Sequence, residues 1–181
     1  MVERKGSIMG KAKGTTSAVH WAQVPTTLGP VVIAATEAGV CWLSIESDPR
    51  GLKAASIGAS LVEGGALVTA LLDRVLAAIE APDDAMFDIP VDPQGTPFQQ
   101  AVWAELRRIP CGETRTYGDL AARLGQPGGS RAVGGANGAN RIAVLIPCHR
   151  VIAANGTLGG YAWGLDVKRE LLRRERAGVL I

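Results

Sequence analysis

The sequence predicts an α/β first half, an antiparallel sheet with one helix, followed by a mainly helical second half that carries a helix-turn-helix. Three observations point there. Short β-rich runs crowd residues 19–45, apolar residues at helical spacing dominate from residue 96 onward, and the charge reverses sign at the turn cluster Asp92-Pro93-Gln94-Gly95. With 181 residues, 47% of them apolar and 20% charged, the chain has ordinary globular composition and can bury a core.

Residues 1–17, rich in Gly, Ser, Thr and Lys, show neither apolar period and read as a disordered tail outside the fold. Residues 19–24, 29–35 and 39–45 are β-rich and separated by Pro25-Thr26-Thr27 and Glu37-Ala38-Gly39, the pattern of an antiparallel meander. Leu67, Leu71, Val75 and Ile79 recur every fourth residue between Gly65 and Pro82, which predicts an amphipathic helix of about four turns. Residues 86–91 read as one more strand. The turn cluster after them is the expected boundary between a domain of residues 18–95 and one of residues 96–181.

In the second half Thr96 is expected to cap a helix with Pro97 at its first position, and Phe98, Val102 and Leu106 form a core stripe that ends before Pro110. Thr116 caps the next, with Tyr117, Leu120 and Leu124 inward, stopped by Gly125-Gln126-Pro127-Gly128-Gly129. Ser130 is expected to cap a third segment, Arg131 to Gly138, and the two short helices form the helix-turn-helix candidate. That segment has one long side chain, Arg131, among small ones. Each of Gly134, Gly135 and Gly138 costs about 1 kcal/mol in a helix relative to alanine. Close approach of backbone to a duplex is one reason to accept that cost, and a glycine-rich loop is the plainer alternative. A dinucleotide fingerprint is excluded, because no strand leads in and the G-x-G-x-x-G spacing is absent.

The apolar run 142–146 reads as a buried strand that surfaces at Pro147-Cys148-His149-Arg150. Asn155-Gly156 marks a turn, and residues 158–164 continue as a glycine-aromatic loop whose Tyr161 and Trp163 either wall a pocket or cover a small core. A last helix is expected from Asp166 to about Arg176, with Val167 and Leu171 inward and Glu175 next on the same stripe. An inward carboxylate needs a partner, and His149 is the candidate.

Net charge is +2, but residues 1–17 carry +3, residues 18–95 carry −7 and residues 96–181 carry +6. A basic second half suggests a polyanionic partner, since clustered Lys and Arg displace counterions from phosphates, although a solvated basic face has the same composition. Three widely spaced cysteines and no apolar leader point to a reducing, cytosolic compartment. No apolar stretch is long enough for a membrane-spanning helix, and no Cys/His pair has zinc-ligand spacing.

The pair Cys148-His149 joins one of three cysteines to one of two histidines. A thiolate, not a thiol, is the nucleophile, and a free cysteine is only a few per cent ionised at neutral pH, so an adjacent base matters. Cys111, beside Pro110, reads as a packed or turn residue, and Cys41, between apolar neighbours, as a core strand residue.

Pro147-Cys148-His149-Arg150-Val151, preceded by Arg131-Ala132-Val133-Gly134-Gly135-Ala136 and Asn140 and followed by Gly159-Gly160-Tyr161, resembles the methylated-DNA–protein-cysteine methyltransferases, most of all the C-terminal alkyltransferase domain of bacterial Ada. The resemblance is strong over residues 96–177 and weak over residues 18–95. It implies a ribonuclease H-like first domain and a winged helix-turn-helix second domain. It also implies irreversible, single-use transfer of an alkyl group from oxygen-6 of guanine, and from oxygen-4 of thymine, to Cys148, with no metal or organic cofactor. His149 would take the thiol proton through a water, Glu175 would orient the imidazole, and Asn140 would fix the turn that leads to the cysteine.

By the same resemblance the partner is double-stranded DNA bound in its minor groove by a monomeric, cytoplasmic, nucleoid-associated protein. Arg131 would fill the gap left by the flipped base, Tyr117 would press on its phosphate, and Ser130, Ala132, Gly134, Gly135 and Ala136 would lie against the groove. The implied pocket takes Tyr161, Ala162 and Val151 around the guanine. Trp163 and Asn137 depart from some members, and Trp163 is expected to narrow the mouth against bulky adducts. A thiol hydrolase or redox protein would not explain Arg131, and neither Cys41 nor Cys111 adjoins Cys148. Alkyltransferase-like proteins, which bind alkylated DNA without reacting, carry another residue where Cys148 stands.

Overall fold

The computed structural model describes residues 18–46, 48–56 and 58–177; the tail expected over residues 1–17 lies outside them. β1 (Ala18–Thr26), β2 (Gly29–Thr36) and β3 (Gly39–Ser44) form the expected antiparallel meander, with the β1–β2 turn closed at Thr26 and Gly29. α1 (Arg50–Ala55) and β4 (Ser60–Glu63) follow, and β4 adds to β1 in parallel, so the sheet order is β3-β2-β1-β4. Neither element was expected: at six and four residues they are too short to show a period.

β2 is central and covered on both faces, which is why it is a continuous apolar run rather than an alternating one. Val31, Ile33 and Ala35 face one core, shared with α2 (Ala66–Glu80), and Val32 and Ala34 face a second one with Trp21, Trp42 and Leu52. The inward face of α2 is broader than the predicted stripe, with Val68, Val75, Ala78 and Ile79 fully buried and Leu67 and Leu71 only partly so.

Residues 86–91 do not form the expected strand. Pro82 and Pro90 bracket a 3₁₀ turn over Asp84–Asp88, opened by the Asp83 carboxylate, which accepts from Ala85 N at 2.9 Å. The carbonyls of Phe87 and Ile89 are taken by the Arg107 guanidinium instead of a neighbouring strand, and only Val91 bridges to Val40.

The second half is helical as expected. α3 (Pro97–Leu106) opens with a complete Thr96/Gln99 capping box, and α4 (Tyr117–Arg123) with a Thr116/Asp119 one. α5 (Ser130–Gly138) starts one residue earlier than predicted: Ser130 lies inside the helix and makes no cap, the N-cap position being Gly129. Trp103 of α3 donates its indole N–H to the Ala136 carbonyl at 2.8 Å, which holds α5 against α3. A two-stranded parallel sheet pairs β5 (Arg115–Thr116) with β6 (Val151–Ile152), and α6 (Leu165–Ala177) closes the chain.

The open edge of β3 is where the halves meet. Val40 exchanges backbone hydrogen bonds with Pro90 and Asp92, and Leu43 with Arg141 and Ala143. One apolar core runs from β2 and α2 through α3 to α6. The segment that leads to Cys148 is therefore anchored on a sheet built from the first half of the chain.

Candidate active site

Residues 142–146 are not the expected strand but a run of tight turns. Ile142 bridges to Leu43, then Leu145 N bonds to Ala143 O at 2.7 Å around Val144, whose φ of 65° is the one positive value among the described non-glycine residues. A β-branched residue there is strained and persists only where its surroundings over-determine it. Here they do: Val144 is fully buried, Leu43 holds the backbone on one side, and the Asn140 side chain holds it on the other. Pro147, at φ −78° and ψ 64°, makes a second three-residue turn closed by Cys148 N on Ile146 O at 2.7 Å. Cys148 then opens a single 3₁₀ turn, Cys148–Arg150.

Asn140 organises these turns. Its Oδ1 accepts from Ile142 N at 3.0 Å, and its Nδ2 donates to Ile146 O at 2.8 Å and to the Cys148 sulfur at 3.1 Å. The amide's two protons are thus committed to the backbone before the cysteine and to the thiol itself.

Cys148 is 3% exposed, and burial pushes its thiol up to about 11, against the pull of the Asn140 hydrogen bond and the Lys168 charge. At rest it is a neutral thiol. His149 is fully buried, and burial holds its imidazole below the usual value despite Glu175. Glu175 reaches it from α6, Oε1 to Nε2 at 2.6 Å. Burial raises the Glu175 carboxyl, but the hydrogen bonds and charges of His149 and Arg150 outweigh it and leave the group below its usual range, hence ionised. An ionised carboxylate only accepts, so Nε2 carries the proton and neutral His149 presents Nδ1 as a base. That Nδ1 is buried and has no hydrogen-bond partner among the described residues.

Beside the thiol lies a cavity of about 220 Å³. Tyr117 on α4, Gly134, Asn137 and Gly138 on α5, and the loop residues Gly160 to Ala162 wall it together with Cys148. It is smaller than the about 300–1,000 Å³ of drug-sized sites. Two of its wall residues carry buried atoms with no hydrogen-bond partner among the described residues, the Tyr161 hydroxyl and Asn137 Oδ1. A larger cavity of about 910 Å³ lies on the far face of the sheet around Cys41, Trp42 and Leu52. Cys41 is only half-buried, and burial pushes its thiol up to about 11. The smaller cavity is the one beside the chemistry.

The sequence-predicted residues divide as follows. Cys148, His149, Glu175 and Asn140 are brought together, and Tyr117, Tyr161, Ala162, Asn137 and Gly134 meet at the cavity. Trp163 does not line it; its ring packs edge-on against that of Tyr161, centroids 5.2 Å apart. Val151 is buried in β6 and its carbonyl accepts from Lys168. On α5, Arg131, Ala132, Gly135 and Gly138 are exposed and form one smooth outward face with a single long side chain. Ala136 is turned inward, and Ser130 is half-buried at the first helical position. Cys111 sits half-buried in a turn with its sulfur on Pro82 O at 3.1 Å.

Two buried cations went unseen in the sequence. Arg150 pairs with Glu175, and Lys168, fully buried, donates its ammonium to the carbonyls of Val151, Leu158 and Gly160, tying the pocket loop to α6. Burial brings Lys168 down to about 8. Arg and Lys are almost never fully buried unless paired, and helical position alone does not announce the pairing.

Acid acts on this cluster with a definite sign. His149 and Glu175 both hold their protons less tightly folded than unfolded, so the unfolded chain binds more protons and stability falls with pH. We expect the urea midpoint to decline as pH drops below the unfolded imidazole value of 6.5, and more steeply below the unfolded carboxyl value of 4.5. A midpoint unchanged from pH 7.5 to 5 would mean that His149 charges freely in the folded protein.

Among known proteins, the family model described as 6-O-methylguanine DNA methyltransferase, DNA binding domain, matches residues 97–177. A methylated-DNA–protein-cysteine methyltransferase of Methanosarcina acetivorans is 43% identical over 157 residues, 87% of this chain and 98% of that one. The bifunctional transcriptional activator/DNA repair enzyme Ada of Escherichia coli is 38% identical over 90% of this chain, which spans 47% of Ada's length. Of solved structures, Mycobacterium tuberculosis OGT in complex with DNA superposes with a TM-score of 0.74 at 35% identity, covering 87% of this chain and 93% of that one. With nearly the full length of a 43%-identical relative matched, and a buried cysteine followed by a histidine bonded to Glu175 beside a cavity, the protein belongs to the methylated-DNA–protein-cysteine methyltransferase family.

Proposed function

We propose that the protein repairs duplex DNA by moving the alkyl group from oxygen-6 of guanine, and from oxygen-4 of thymine, to the sulfur of Cys148, once per molecule. The observation that carries this reading is the free Nδ1 of a neutral His149, fixed by Glu175 through Nε2, in the turn that bears a buried thiol. As the alkylated base enters, Nδ1 takes the thiol proton through a water and the sulfur attacks the alkyl carbon. The carbon–oxygen bond breaks, its electron pair stays with the guanine ring, and the ring recovers a proton through His149 and solvent. Glu175 stabilises the imidazolium formed on the way. The Tyr161 hydroxyl and Asn137 Oδ1, buried without partners, are the groups left over to bond the base edge. A thioether is a poor leaving group, so the thiol is not regenerated.

A base in a duplex hides its reacting carbon, so it is extruded at a cost of a few kcal/mol. The smooth outward face of α5 supports approach to the minor groove, with Arg131 filling the vacated stack and Tyr117, at the cavity wall, against the phosphate. The parallel fourth strand supports a ribonuclease H-like reading of residues 18–95, and the β5–β6 pair beside α4 and α5 a winged helix-turn-helix reading of residues 96–181. We propose that the protein acts as a monomer on DNA in the cytoplasm. The non-reacting DNA-binding alternative is disfavoured by the cysteine itself.

Glu175→Gln tests the relay. We expect the single-turnover rate of methyl transfer to fall about 10²–10⁴-fold, the usual weight of a general base, at nearly constant DNA affinity. A rate unchanged in this variant would remove the Glu175 charge from the reaction.

A further inference from the structure

The carboxylate that holds His149 is shared. Glu175 Oε1 accepts from His149 Nε2 at 2.6 Å and lies 2.9 Å from both Nε and Nη2 of Arg150, whereas its other oxygen accepts from Gly112 N at 3.4 Å. Arg150 is fully buried and cannot swing away: its guanidinium donates to Ile109 O, touches the Met86 sulfur at 3.9 Å, and lies over the Phe87 ring at 5.5 Å. The methyl-transfer reading uses Cys148, His149 and Glu175 and leaves this arginine without a task.

We propose that Arg150 is a positioning residue: by sharing Glu175 Oε1 with His149 and balancing the carboxylate's charge, it keeps the imidazole neutral and its Nδ1 free to receive the Cys148 proton. With Arg150 present, the buried Glu175–Arg150 pair is neutral and nothing requires a proton on His149. Without it, His149 becomes the one group on Oε1 able to offset a buried carboxylate, and a lone buried carboxylate is costly. The His149–Glu175 pair then takes up a proton from solution as a unit, and an imidazolium cannot act as base.

The other titratable groups near the imidazole do not replace Arg150. Cys148 and Tyr161 are neutral, the Lys168 charge also disfavours the imidazolium but its ammonium bonds to three carbonyls and not to Glu175, and Cys111 and Asp84 add no cation.

The inference rests on the reading of Cys148 as acceptor and His149 as its base. It is tested on the full chain with Arg150→Met, Arg150→Lys and the double variant Arg150→Met/Glu175→Gln. Two quantities are followed against pH: His149 ring nitrogen shifts by NMR, and the single-turnover rate on methylguanine duplex by intact mass. In Arg150→Met the imidazole titration and the acid limb of the rate should both rise by about one pH unit or more. Arg150→Lys, which keeps the charge, should stay near the unchanged protein.

Folded Arg150→Met with an unshifted imidazole, or with the same fractional rate loss at every pH, would overturn the proposal and leave a packing role. If Arg150→Met does not fold, the double variant decides, since removing both charges should restore folding and a packing role would not. Failure of the unchanged protein to methylate Cys148 would refute the reaction while the imidazole titration still judged Arg150.

Discussion

Cys148→Ala protein will bind methylguanine duplex and leave the methyl group where it is. The acceptor sulfur is the only atom the substitution removes. Asn140 keeps its bond to Ile146 O, and the cavity walls and the outward face of α5 do not depend on the thiol. The loss of transfer should be complete within any practical incubation, because neither of the other two cysteines stands in. Cys41 is on the far face of the sheet, and Cys111 is tied to Pro82 with its own thiol pushed to about 11 by burial first and Glu175 second. A gel-shift titration beside a methyl-transfer assay checks both halves of the expectation. Residual transfer in the variant would mean that another side chain accepts the alkyl group.

Arg131→Ala will separate base extrusion from chemistry. Arg131 is exposed on the first turn of α5, the single long side chain on that helix's outward face. If it fills the stack, its removal forfeits part of the few kcal/mol that extrusion costs, and transfer from duplex should slow by about 10–100-fold. Transfer from the free base methylguanine, which needs no extrusion, should change less than about threefold. Equal losses on both substrates would instead make Arg131 part of the pocket.

The parts of the fold legible in the sequence were those with a strong local signal. The helix caps at Thr96 and Thr116 and the inward stripe of α6 are set by neighbours three or four residues away, and they stand where expected. Glu175 was found by that stripe, and its 2.6 Å contact with His149 joins residues 26 apart in sequence. Misread segments owe their shape to distant partners. Residues 86–91 have strand composition, yet Arg107 takes their carbonyls; residues 142–146 are apolar enough for a strand, yet Leu43 and Asn140 fold them into turns with Val144 at positive φ. Arg150 and Lys168 carry no such local signal: charged residues are expected at the surface, and only the folded chain shows a carboxylate and a set of carbonyls around them.

The most direct test of the account is the mass of the protein and of its peptides after incubation with a duplex containing one methylguanine. Each molecule should gain a single methyl group, located on the peptide that carries Cys148, and a second equivalent of damaged duplex should remain unrepaired. No added mass, or a methyl group on the Cys41 or Cys111 peptide, would contradict it.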